Sequence, residues 1–194
     1  MFTLTATRRN VLLALGAVTL GLMATHASAA PLTNNAATPA IRYFVVQPHA
    51  GIFIPTKAET RAVFGDARGT AGIAIDLVQQ QLCPEHTISL RLDSTLLKTN
   101  DDHLYLVPIG VRYTKFLNNS DRVRPYVAAG ASLCYVDLEV RQQGIDETKI
   151  TFMPTFTAGV QIGQRGFVEA TYLTTERIEG FDICGTKIAA GLSF

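Results

Sequence analysis

The residues best equipped for nucleophilic, acid–base or metal chemistry are few. Four histidines and three cysteines occur in 194 residues. His26 falls in the leader described below, which leaves His49, His86 and His103. A lipid-modifying hydrolase or acyltransferase needs a nucleophile and a base within hydrogen-bond reach of each other. None of the three histidines stands beside a serine in a recognisable motif. Cys83, Cys134 and Cys184 are odd in number, so they close no disulfide framework, and their wide spacing matches no zinc pattern. The expectation is no enzyme, no catalytic residue, no metal and no cofactor.

A second set of polar residues carries more information. Asp76, Arg91, Asp93, Arg112, Glu169 and Lys187 all fall on the inward side of strands, three to seven residues from the same end of each. Three are acids and three are bases. Read together, they form one balanced charge layer across the lumen of a narrow barrel, where an unpaired charge would be costly.

The elements that would hold such a layer follow from the period of the pattern. From residue 42 onward it is two rather than 3.6. Eight strands are predicted, at 42–54, 69–81, 86–98, 103–117, 123–141, 148–164, 166–176 and 182–194. The fourth is the clearest: Tyr105, Val107, Ile109, Val111 and Tyr113 share one face, against Leu106, Pro108, Gly110, Arg112 and Thr114. Tyr105 to Tyr113 spans about 26 Å along a strand. At the usual tilt this matches the apolar band between the aromatic girdles of a membrane barrel, so these tyrosines are read as interface aromatics. The other outward sets include Ile73, Ile75 and Leu77, then Val127 to Tyr135, then Ile188, Ala190, Leu192 and Phe194, none charged. The only helix candidate is a short one at 57–65. Pro48 and Pro154 remove ladder donors, so bulges are expected there.

Residues 1–29 read as a cleavable signal peptide. Arg8 and Arg9 precede an apolar run from Val11 to Met23, too short to span a membrane as a helix, and Ala27-Ser28-Ala29 supplies a cleavage site. The paired arginines leave twin-arginine export open beside the general route. Residues 30–41 form a linker, and 42–194 the barrel. Charged residues make up 17% of the chain and the net charge is +1, so nothing marks a nucleic-acid partner.

With these elements placed, the chain resembles the small outer-membrane β-barrel proteins, the OmpA/OmpX/OmpW-like group. Three stretches carry the resemblance: Arg124-Pro125-Tyr126-Val127-Ala128-Ala129-Gly130-Ala131; Gly159-Val160-Gln161-Ile162-Gly163 leading into Gly166-Phe167-Val168-Glu169-Ala170-Thr171-Tyr172; and Lys187-Ile188-Ala189-Ala190-Gly191-Leu192-Ser193-Phe194. The resemblance implies an all-β, eight-stranded, antiparallel up-and-down transmembrane barrel in the outer membrane. It also implies that Ile188, Ala190, Leu192 and Phe194 act as the signal read by the barrel-assembly machinery. The partners implied are membrane lipid and that machinery.

Short turns at one end of the predicted barrel and longer loops at the other fit the usual outer-membrane pattern. The first expectation for function is a structural or interaction role in the cell envelope. The loop Pro55–Arg68, with Lys57, Glu59, Arg61, Asp66 and Arg68, is the candidate contact surface, although the sequence names no partner for it. Three alternatives stand beside this one: a narrow porin-like channel, an envelope lipid-modifying enzyme, and a soluble lipocalin-like barrel with its polarity inverted.

Overall fold

Side chains alternate across a strand, so a chain with one apolar and one polar face per strand can close on itself and leave no edge. The computed structural model describes residues 41–98, 102–118, 120, 122–141, 144–178 and 181–194. The signal peptide and all of the linker but Ile41 lie outside these described residues.

Eight strands pair in sequence order, each antiparallel to the next, and the last closes on the first. They are β1 (Ile41–Pro55), β2 (Arg68–Cys83), β3 (His86–Lys98), β4 (His103–Phe116), β5 (Val123–Val140), β6 (Ile145–Ile162), β7 (Gly166–Leu173) and β8 (Gly185–Leu192). One helix, α1 (Ala58–Phe64), lies between β1 and β2. The expected strands and the short helix are therefore all present, with ends moved by a few residues. β7 stops at Leu173 and β8 starts at Gly185, so the last connection is longer than expected.

One end of the barrel carries the connections after β2, β4 and β6; we call it the turn end. The other carries α1 and the connections after β3, β5 and β7; we call it the loop end. At the seam, β1 pairs with β8 from His49↔Gly191 to Pro55↔Gly185. Phe194 continues the ladder, its N–H donating to the Val46 carbonyl at 2.9 Å and its carbonyl accepting from the Val46 N–H at 3.2 Å.

Two details differ from expectation. The bulges are not at the prolines. Pro48↔Ile73 and Ala131↔Pro154 lie within continuous registers. Toward its other neighbour Pro48 sits in the short gap between His49↔Gly191 and the Val46–Phe194 bonds. Pro154 sits at the end of the paired run, its carbonyl accepting from the Thr174 N–H at 3.4 Å. Each ladder thus loses a single donor with no residue inserted. The register instead shifts between Asp76 and Val78 and between Gln81 and Cys83. Opposite the first shift, Phe44 adopts a φ of 56°. The shift turns Val78, not Leu77, into the outward partner of Leu90.

The outer surface is an apolar belt. Ile150, Phe156 and Leu133 are 68%, 62% and 58% exposed, and Phe152, Val111, Ile109, Val127 and Leu192 are exposed with them. Exposed apolar surface on this scale is foreign to a soluble monomer. The buried core lies inside the barrel toward the loop end. Phe53, Leu97, Leu104, Leu106, Val136, Leu138, Val140, Met153 and Leu173 form one cluster with Phe64 of α1 and with Ile178, Phe181 and Ile183 of the last connection.

Candidate functional site: the lumen

An eight-stranded barrel has an interior just wide enough for side chains to fill. Which side chains enter is decided by strand parity. The parity of β1 turns Gln47, His49 and Phe53 inward, that of β3 turns Arg91, Asp93, Thr95 and Leu97, and that of β4 turns Arg112. The space they need is left by glycines on neighbouring strands. A Cβ on Gly159 would stand 2.6 Å from the Tyr126 ring, one on Gly185 2.5 Å from Phe53, and one on Gly191 2.6 Å from Phe167. Large and small residues thus alternate around the interior.

The structure brings the six inward charges together in two groups. In the first, Arg91 Nη1 lies 3.7 Å from Asp76 Oδ1, and Arg91 Nη2 lies 4.0 Å from Asp93 Oδ2. Lys187 Nζ reaches the same Asp93 Oδ2 at 3.3 Å. In the second, Arg112 Nη2 donates to Glu169 Oε2 at 3.0 Å. Asp76, Glu169 and Lys187 are buried, and the other three are nearly so.

Neutral residues complete both groups, and the charge pattern alone does not single them out. Arg91 Nη1 donates to Gln47 Oε1 at 2.8 Å, and Lys187 Nζ donates to Thr95 Oγ1 at 3.3 Å. His49 donates from Nδ1 to the Gln47 carbonyl at 3.3 Å, a tautomer that leaves Nε2 to accept from Lys187 Nζ at 3.4 Å. Tyr126 OH donates to Glu169 Oε2 at 2.8 Å, and the Arg112 guanidinium lies 5.7 Å from the Tyr126 ring centre. The available signal is parity: Tyr126 precedes the outward Val127 by one residue and must point in.

A cavity of about 70 Å³ adjoins the charges, lined by Arg112, Glu169, Asp93 and Lys187 and by Thr157 and Thr171 beside them. It has room for a handful of water molecules and polar groups to hold them. Toward the loop end, the apolar cluster lies between this cavity and solvent. α1 seals it: Thr60 and Phe64 are buried, and Thr60 Oγ1 donates to the Asp182 carbonyl at 2.8 Å. The ion pairs Lys57–Asp182 and Arg177–Glu59, at 3.8 and 3.4 Å, join α1 and its flank to the last connection from outside.

The histidines are held apart. His49 contacts Lys187 and Asp93 Oδ1, the latter at 3.7 Å. His86 bonds the Tyr113 hydroxyl, and His103 lies 3.2 Å from Glu139 and 3.8 Å from Asp137. Among the described residues no histidine bonds a serine, threonine or cysteine, and no cluster of His, Cys, Asp and Glu has the geometry of a metal site.

Tyr105 and Tyr113 stand on the outer face near opposite ends of β4. Tyr135 and Tyr172 join Tyr105 toward the loop end. Phe44 and Phe194 join Tyr113 toward the turn end. Ile188, Ala190 and Leu192 face outward on β8 beside the seam, in line with Phe194.

With this geometry established, comparison with solved structures is informative. Neisserial surface protein A superposes with a TM-score of 0.59 at 14% identity, over 79% of this chain and 97% of that one. The chain has the fold of the small outer-membrane β-barrels. The N-terminal β-barrel domain of OprF from Pseudomonas aeruginosa also matches, with a TM-score of 0.49 at 14% identity over 80% of this chain and 100% of that one. So does Ail, the attachment invasion locus protein of Yersinia pestis, with a TM-score of 0.45 at 12% identity over 78% and 97%. No family model and no curated protein matches the sequence.

Proposed function

We propose that the chain is a closed outer-membrane barrel with a structural or interaction role at the cell envelope, and that it neither conducts nor catalyses. The observation that carries this reading is the division of polarity. The outer face is an apolar belt bounded by tyrosine and phenylalanine, while the charges are gathered inside and paired. Only lipid satisfies such an outer face, and a closed barrel is one of the two ways a backbone can cross lipid with every polar group bonded. A lipocalin-like soluble barrel would need the opposite arrangement.

The interior favours closure over a pore. Paired charges bridge the lumen, and an apolar cluster capped by α1 and the last connection lies between them and the loop end. An enzyme is disfavoured: among the described residues the three histidines contact a lysine, carboxylates and a tyrosine hydroxyl, and none stands with a serine, threonine or cysteine in the geometry acyl transfer needs. The contact surface is then the loop end, where α1 turns Glu59 and Arg61 outward. The outward residues of β8, ending on Phe194, fit the assembly signal.

The test is conductance across a planar bilayer. The purified barrel should show no stepwise current, and Phe64→Ala, which loosens the seal, should show at most rare openings. Steady unitary currents from the unaltered chain would contradict the closed lumen and restore the channel reading.

A further inference from the structure

The two ends of the barrel differ in charge. Around α1 and the loop-end connections, acids and bases are mixed and several are paired, as in Arg141–Glu139 and Lys149–Glu176. The turn end carries Arg42, Lys115, Arg122, Arg124 and Arg165, against Glu85 and, in the sequence, Asp121. Among the described residues Lys115, Arg122 and Arg165 make no ion pair, and all three are exposed.

These cations sit on one continuous rim. The Phe116 N–H donates to the Glu85 carbonyl at 2.7 Å, and Arg124 Nη2 donates to the Pro84 carbonyl at 3.0 Å, joining the first turn to β4 and β5. The Gly163 N–H donates to the Arg122 carbonyl at 2.7 Å, joining the second turn to the third. The Ser193 N–H donates to the Arg165 carbonyl at 2.8 Å, joining the third turn to the chain beyond β8. The backbone that carries these cations is therefore joined into a fixed arc.

The arc also lies level with the aromatic girdle. Lys115 follows Tyr113 by two residues on the outward face of β4. The Arg165 guanidinium lies 5.8 Å from the ring centre of Phe194. A cation beside an interfacial aromatic stands at the depth of lipid headgroups, with its stem along apolar surface and its charge toward water. Guanidinium and ammonium groups at that depth meet phosphate, for which they are well-matched donors.

We propose that the turn-end arc of Lys115, Arg122 and Arg165 binds the phosphates of anionic phospholipids in the leaflet facing the turns. This rests on the membrane placement proposed above. Bound lipid would anchor the barrel vertically from the turn end and leave the loop end free for contact.

The experiment uses the folded chain in bilayer nanodiscs of mixed phosphatidylcholine and phosphatidylglycerol. Lipid retained on extraction into mild detergent is counted by mass spectrometry, and gel mobility with and without boiling checks folding in the same samples. A severalfold enrichment of phosphatidylglycerol over the input ratio is expected. It should vanish in the K115Q/R122Q/R165Q variant and in molar salt, while the mobility shift stays unchanged. Folded barrel with no enrichment, or with enrichment that survives the triple substitution, would overturn the lipid site and leave the barrel reading standing. Absence of the mobility shift would overturn both. Retention on isolated peptidoglycan that the triple substitution abolishes, without lipid enrichment, would assign the arc to glycan-peptide carboxylates and overturn the lipid reading.

Discussion

At the scale of single residues, what matters most is that the lumen charges are few, balanced and buried. Glu169 accepts from both Arg112 and Tyr126. Removing it alone leaves the Arg112 guanidinium inside the barrel without its hydrogen-bonded carboxylate. Breaking a buried pair from one side costs about 3–5 kcal/mol, so Glu169→Ala should lower the urea midpoint of the folded barrel substantially. Replacing the pair together, as Arg112→Met with Glu169→Leu, removes the charges as a unit and should recover most of the loss. Urea titrations of Arg112→Met, Glu169→Leu and the double variant check this. Equal, additive losses would show that the pair does not act as one. The six charges could be read from the sequence because each is an exception on a strand whose other face is apolar. Tyr126 is legible only by parity, as the inward neighbour of Val127, because it carries no charge to mark it. Gln47 and Thr95 carry no charge and give no such exception.

At the scale of elements, the strands were legible where alternation is clean, as along Tyr105 to Tyr113, and less so where both faces are apolar. Leu104, Leu106, Val136, Leu138 and Val140 face inward near the loop end, and next to outward Tyr105, Val107 and Tyr135 they blur the period. An apolar plug therefore hides inside a pattern that also describes a lipid belt. The bulge at Asp76–Val78 escaped for a related reason. Leu77 and Val78 are both apolar, so a slip of one residue leaves the pattern acceptable. The expectation of bulges at Pro48 and Pro154 fails because a proline lacks only one donor, and a ladder can lose one bond without an inserted residue. The short helix was visible in 57–65, but its role was not. The charges of the loop suggest an exposed contact surface, whereas α1 turns Thr60 and Phe64 into the mouth of the barrel. Phe64→Ala should cost about 3–5 kcal/mol, as large-to-small changes in a packed core do. It should also make the connections after β1 and β7 susceptible to added protease while the strands stay protected. Unchanged protease resistance would mean that α1 is held by its polar ties alone.

At the scale of the whole molecule, two partitions follow from one sequence: apolar outside against charged inside, and a mixed loop end against a cationic turn end. The first makes a membrane the only solvent that suits the surface, and the second distinguishes the barrel's two faces. Both rest on the barrel folding into the outer membrane. The measurement that tests this most directly is fractionation of cells expressing the full chain, followed by gel mobility of the detergent-extracted protein with and without boiling. Recovery in the outer-membrane fraction, with a compact band that moves on boiling, is predicted. A soluble periplasmic protein whose mobility does not change on boiling would contradict the account.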